Sequence, residues 1–142
     1  MKNIEIYAIG NAYKRLGEMA DKARQNGNDS YEVKLPAKVA WTRRLNLDKI
    51  FKAGAIIEEA LNDISKKYSD DEHSAEDSEG RRYIKEEYVK EYAKERAEVL
   101  DQETDVDIKK VKITDLGDVM LSDEYMDTIM FMLDEGDNDG EH

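Results

Sequence analysis

His73, His142, the single tryptophan Trp41 and two clusters of carboxylates are the residues of this chain whose types and spacing could do chemistry. A hydrolase or transferase needs an activated nucleophile, a tuned acid or base, or a bound metal. There is no cysteine, which excludes a thiolate nucleophile, thiolate metal sites and a disulfide framework. His73 lies in an acidic stretch and His142 at the last position, and neither has a histidine four residues away, as a helical zinc site would require. No glycine-rich phosphate loop and no GxSxG turn occurs. Glu135, Asp137, Asp139 and Gly140 resemble the opening of a calcium loop, but that loop needs a glutamate six residues beyond its glycine and the sequence stops at His142. With 34 acids in the chain, clustered carboxylates arise by chance and do not argue for Mg²⁺. No catalytic, cofactor-binding or metal-binding residue is therefore assigned, and the expectation is a protein that is not an enzyme.

The carboxylates matter instead through their distribution. The net charge is −12, but residues 69–79 carry six acids and no base, and residues 134–142 carry five acids and no base. The rest of the chain holds 23 acids against 22 bases and is close to neutral. Stretches of this kind are solvated in most proteins, or dock on a basic partner surface. On the docking reading the contact residues are Asp70, Asp71, Glu72, Glu76, Asp77 and Glu79. Residues 134–142 read as a disordered acidic tail.

The opposite sign collects between Lys34 and Lys52, where Lys34, Lys38, Arg43, Arg44, Lys49 and Lys52 face one acid, Asp48. On a helical wheel Lys38, Leu45, Lys49 and Lys52 share an edge, with Trp41 beside it. Bases flanking an exposed tryptophan can hold phosphate and stack a nucleobase. The alternative is a solvated face whose lysine stems cover apolar surface, with Trp41 packed beneath a neighbouring helix. Arg43 falls on the same side as Ala40, Leu47 and Ile50, and a buried arginine needs a partner, which the acidic stretch could supply. Trp41, Arg43 and Arg44 are kept as contact residues.

These groups have to be positioned by helices, because a chain with 39% apolar and 39% charged residues builds its core most readily from narrow amphipathic stripes. Ile9, Ala12, Tyr13, Leu16, Met19, Ala20 and Ala23 predict a first helix over 3–24, weakened by Gly10 and Gly17. Gln25 to Ser30 is turn chemistry, Tyr31 to Leu35 reads as extended, and Pro36 opens the next helix. Leu47, Ile50, Gly54, Ile57, Leu61, Ile64 and Tyr68 then form a heptad-like seam, with Ala40 as a backward extension. Residues 69–80 read as an acidic loop, and 82–100 as a return helix with Tyr88, Val89, Tyr92, Ala93, Arg96, Val99 and Leu100 on one side. Thr104 to Ile113 alternates with a slip at Lys109–Lys110, which predicts one or two short strands, paired with Tyr31 to Leu35 or the residues near Tyr83. Ser122 is placed to cap a final helix with Met126, Ile129, Met130 and Leu133 inward and Tyr125, Phe131 and Met132 elsewhere. Phe131 and Met132 join the contact residues. The expected fold is mainly α with minor β: one domain over 1–133, holding a long antiparallel helical hairpin, an N-terminal helix, one or two short strands and a C-terminal helix. No run of about 18 apolar residues occurs, so no membrane span is expected.

The segments KNIEIYAIGNAYKRL, KLPAKVAWTRRLNLDKI, EEYVKEYAKERAEVLDQE, TDVDIKKVKITDLGD and YMDTIMFMLDE resemble an uncharacterised family of small proteins encoded by tailed bacteriophages and prophages, mainly of Gram-positive bacteria. The resemblance spans most of the chain except the acidic loop and tail. It implies a phage gene product acting in the cytoplasm of an infected bacterium or in the virion, and it carries no functional residue across. The expected function is that of an accessory protein that binds a host or phage protein, with inhibition of a host defence system (anti-CRISPR-like) as one version. A virion or assembly component and a nucleic-acid-binding protein using the basic 34–52 segment are the alternatives. The acidic extensions count against nucleic acid, since they repel phosphate. The long seam can be satisfied within the hairpin or across a homodimer.

Overall fold

A computed structural model describes every residue except Asp29, Ser30, Glu32 and 135–142. The chain is mainly helical with minor β structure. Helix α1 runs Asn3–Gln25 and α2 runs Ala37–Lys67. A β hairpin follows, β1 Ser74–Glu76 against β2 Arg82–Ile84, and then α3, Glu86–Leu100. The last third holds β3 Val111–Lys112, a 3₁₀ turn Ile113–Leu116, α4 Asp123–Met126, a second 3₁₀ turn Met130–Met132 and β4 Leu133–Asp134. None of the described helices is long and apolar enough to cross a membrane. Two compact units form, one from Met1–Tyr7 with Ala53–Asp105 and one from Ala8–Lys52 with the residues from Val106 onward.

In the first unit the expected seam holds. Ile57 and Leu61 are buried on α2 and Tyr68 just past its end, and α3 faces that helix with no fully buried side chain of its own. Tyr68 and Tyr92 meet edge to face, and the Tyr68 hydroxyl donates to the Glu95 carboxylate, which also takes Lys67 Nζ at 2.8 Å. The start of α1 closes the far end of α3. Asn3 donates its side-chain amide to the Val99 carbonyl at 2.8 Å and its backbone N–H to Gln102, satisfying acceptors that a helix C-terminus leaves open.

The acidic stretch is a hairpin and not a loop. Ser74, Ala75 and Glu76 pair with Ile84, Tyr83 and Arg82. Asp77 makes the turn by accepting the backbone N–H groups of Glu79 and Arg81, and Gly80 supplies the positive φ of 80° that an L side chain resists. Arg81 and Arg82, just past the acidic run 69–79, fold back on it and pair with Asp71, Glu76, Asp77 and Glu79.

In the second unit, Leu16, Val39, Val111, Leu116, Tyr125, Ile129 and Met132 form the buried core. Asn46, also fully buried, holds the segment after α3 onto α2: its Nδ2 donates to the Lys109 carbonyl at 2.8 Å and its Oδ1 accepts the Lys109 N–H at 2.9 Å. This carboxamide takes up the backbone groups for which the sequence predicted a strand. Consequently the expected strand over 104–113 shrinks to Val111–Lys112, and its partner is Leu133–Asp134, in parallel, and not Tyr31 to Leu35. The strand near Tyr83 pairs inside the hairpin instead.

The expected final helix is likewise short. Ser122 does cap it, accepting the Tyr125 N–H at 3.2 Å, but α4 stops at Met126. Thr128 Oγ1 donates to the Tyr125 carbonyl at 2.7 Å, and the N–H groups of Thr128 and Ile129 bond three residues back, which tightens the helix and ends it. The buried set is thereby Tyr125, Thr128, Ile129 and Met132, while Met130, predicted inward, is exposed. Met132 is fully buried and so cannot offer the contact face expected of it, while Phe131 packs half-buried against the core.

Candidate partner-binding groove

Helix α2 puts two stripes to work in its first half. Val39, Asn46 and Ile50 point into the core of the second unit and are fully buried. The neighbouring stripe, Ala37, Ala40, Trp41, Arg44, Asp48 and Phe51, follows the same helical spacing and lines a groove of about 670 Å³. Ala40, expected in the seam, is exposed there. The groove is completed by Tyr13 of α1, by Val33 and Leu35 from the segment leading into Pro36, and by Tyr125 of α4. Tyr13 meets Phe51 edge to face with ring centroids 5.1 Å apart, which fixes the apolar floor.

Arg43 forms one wall. Its guanidinium carbon lies 5.1 Å from the Tyr13 ring centroid and 4.7 Å from that of Tyr125, and Nη2 donates to Thr128 Oγ1 at 3.0 Å. The two aromatic faces do the work of the carboxylate expected for this arginine, because each ring presents its negative face to the cation. The acidic stretch provides Arg43 with no bond. Arg43 Nε is buried without a hydrogen bond, the only such side-chain nitrogen or oxygen among the described residues. Burial pushes the Tyr125 hydroxyl above its ordinary pKa, against the pull of Arg43. The clamp ties α1, α2 and α4 together within this unit.

Trp41 is 63% exposed at the groove, so it does not pack beneath a neighbouring helix. The lysines around it are mostly engaged: Lys38 pairs with Asp115 at 3.8 Å, Lys49 with Asp107 at 3.8 Å and Lys52 with Asp48 at 3.0 Å. Arg44 is exposed and has no ion pair among the described residues. The structure therefore brings Trp41, Arg43 and Arg44 together, and adds Tyr13, Phe51 and Tyr125. Tyr13 is expected only in the apolar stripe of the first helix, Tyr125 off the inward stripe of the last, and for Phe51 the sequence carries no expectation.

The acidic contact residues sit elsewhere, in the first unit, and are largely occupied. Asp70 accepts both the backbone N–H of His73, at 3.0 Å, and a bond with its Nδ1, at 2.6 Å, and these bonds hold its carboxyl below the usual range. Asp77 is lowered too, chiefly by the backbone N–H of Arg81. Arg81 also pairs with Glu79 at 2.8 Å, and Arg82 with Asp71 at 3.4 Å and Glu76 at 3.7 Å. Asp70, Glu72 and His73 bring ligand atoms within 4.8 Å of one another, short of the four donors of a closed zinc site. His73 is instead packed between the rings of Tyr68 and Tyr88. The tail carboxylates beyond Asp134 lie outside the described residues. Comparison with known proteins leaves this geometry to stand alone, since no family model, curated protein or solved structure matches the chain.

Proposed function

We propose that this chain is a phage-encoded accessory protein that acts without catalysis, by binding another protein through the groove beside Trp41. The phage origin, and with it action in the cytoplasm of an infected bacterium, rests on the resemblance of the sequence. One observation carries the binding reading: a large aromatic side chain, 63% exposed, stands over an apolar floor beside an arginine with no ion pair among the described residues. Exposed tryptophan and arginine flanking a pocket are the residue types that dominate binding energies at protein interfaces. Among the described residues the groove holds no histidine, no cysteine and no cluster of acids that would serve a reaction.

Within this reading, partner contact belongs to the groove before the hairpin, because Asp70, Asp71, Glu76, Asp77 and Glu79 already bond to His73, Arg81, Arg82 and backbone N–H groups. The experiment is affinity capture from infected Gram-positive cells with the native chain and with the Trp41→Ala/Arg44→Glu double variant. A protein retained by the native chain and lost from the double variant supports the reading. Retention by both overturns it.

A further inference from the structure

The groove's chemistry narrows what it would take, an inference that rests on the groove being a protein-binding site. Its floor is apolar and aromatic, from Tyr13, Val33, Leu35, Leu47 and Phe51. Its free charge is small. Lys38, Lys49 and Lys52 pair with Asp115, Asp107 and Asp48, and Arg43 is clamped between ring faces. That leaves Arg44 on the groove and Lys34 beside it as the cations with no ion pair among the described residues. Asp48 itself lines the groove and faces whatever enters. A nucleic-acid strand needs a track of several free cations for successive phosphates. One open guanidinium over an apolar floor matches a single carboxylate attached to an apolar chain, since the planar fork pairs a carboxylate through two parallel N–H bonds.

The backbone beside the floor fits the same ligand. Val33, Lys34 and Leu35 belong to no helix or strand, and among the described residues their main-chain groups make no hydrogen bond. Leu35 precedes Pro36 and is biased to the extended conformation. An extended peptide can bond to such an unpaired edge and drop alternate side chains into the groove. The chain's own residues 135–142, EGDNDGEH, bring acids but no apolar side chain and so lack half of what the groove fits.

We infer that the groove takes an extended segment of a partner protein in which an aspartate or glutamate alternates with aliphatic residues, the carboxylate on Arg44 and the aliphatic side chains against Trp41, Leu47 and Phe51. Trp41 is the only tryptophan, so its fluorescence reports binding directly. The probe is a synthetic peptide of alternating aspartate and leucine, compared with the same peptide carrying asparagine. The expected result is a saturable change in Trp41 emission, weakened at least tenfold by the asparagine peptide and at least tenfold by Arg44→Gln, an exposed substitution whose fold is checked by circular dichroism. Equal binding of the two peptides overturns the inference. So does a single-stranded oligonucleotide that binds more tightly than the acidic peptide, or self-association in sedimentation that blocks the groove. If cellular capture depends on Trp41 and Arg44 while the aspartate–leucine peptide fails, the chemistry inferred here is wrong and the protein-binding reading stands. If the peptide binds and capture finds nothing, the reverse holds.

Discussion

Removing the carboxamide of Asn46, a fully buried side chain, leaves the N–H and C=O of the exposed residue Lys109 without that partner. Each such bond, part-buried and replaceable by water, is worth about 0.5–1.5 kcal/mol. Asn46→Ala should therefore lower unfolding stability by about 1–3 kcal/mol, read as a shifted urea midpoint. Asn46→Asp, which keeps the acceptor and loses the donor, should fall between. Equal stability of all three would show that segment 106–111 is held by its apolar contacts alone. Arg43 makes a different case, because its partners are two ring faces and a hydroxyl. A lysine keeps the charge but not the flat surface or the bond to Thr128. Arg43→Lys should destabilise by about 1–2 kcal/mol and blunt the groove through misplacement of Tyr13 and Tyr125, seen as weaker partner capture at a temperature where the fold is intact.

At the scale of elements, the contact between α2 and α3 has a pH signature. The bond to Glu95 is the main reason the Tyr68 hydroxyl is pushed up to about 12, with its burial adding to the shift. Glu95 is lowered by Lys67 first and Tyr68 second. A tyrosine whose folded pKa exceeds its unfolded one contributes stability that is complete below about pH 10 and lost as pH rises toward 12. Glu95 works in the other window: its contribution is present above the unfolded glutamate pKa and lost as pH falls through the depressed folded value. Tyr68→Phe should flatten the alkaline arm of a Tm-against-pH curve, leaving the loss from the other raised groups, Tyr88, Tyr125, Lys67 and Lys2. An unchanged arm would mean that those groups account for all of it.

The elements also show what could be read in advance. A seam spaced three and four apart was legible because burial on a helix repeats with the helix, and Leu47 through Tyr68 obey it. Trp41, Arg43 and Arg44 were singled out by residue type, and they do share one groove. The pairings of 104–113, the early end of α4 and the hairpin at 69–84 were not legible, for a common reason. Each depends on a bond between residues far apart in the chain or on a short polar side chain replacing a backbone partner: Asn46 with Lys109, Thr128 with Tyr125, Asp77 with Arg81. Periodicity records which face is apolar and is silent on these bonds.

For the whole molecule the question is whether −12 is a working charge or a solvated one. The hairpin acids are spent mostly on the hairpin itself, so their removal should first loosen that element and not the groove, which belongs to the other compact unit. The variant carrying Asp70→Asn, Asp71→Asn, Glu72→Gln, Glu76→Gln, Asp77→Asn and Glu79→Gln separates the cases. On the groove reading it captures the same partner from infected cells with less than a threefold loss. Its hairpin amides should exchange faster with solvent, since Asp70 and Asp77 no longer hold the turns. A partner lost from this variant but kept by Trp41→Ala/Arg44→Glu would move the binding surface to the acidic hairpin. Mimicry of nucleic acid against a basic cleft, as for an inhibitor of a host defence machine, would then become the better account. Salt gives an independent check. Binding through one carboxylate on Arg44 should weaken by less than about tenfold between 50 and 200 mM salt, whereas six acids against a basic cleft should lose about a thousandfold or more, as electrostatic phosphate binding does.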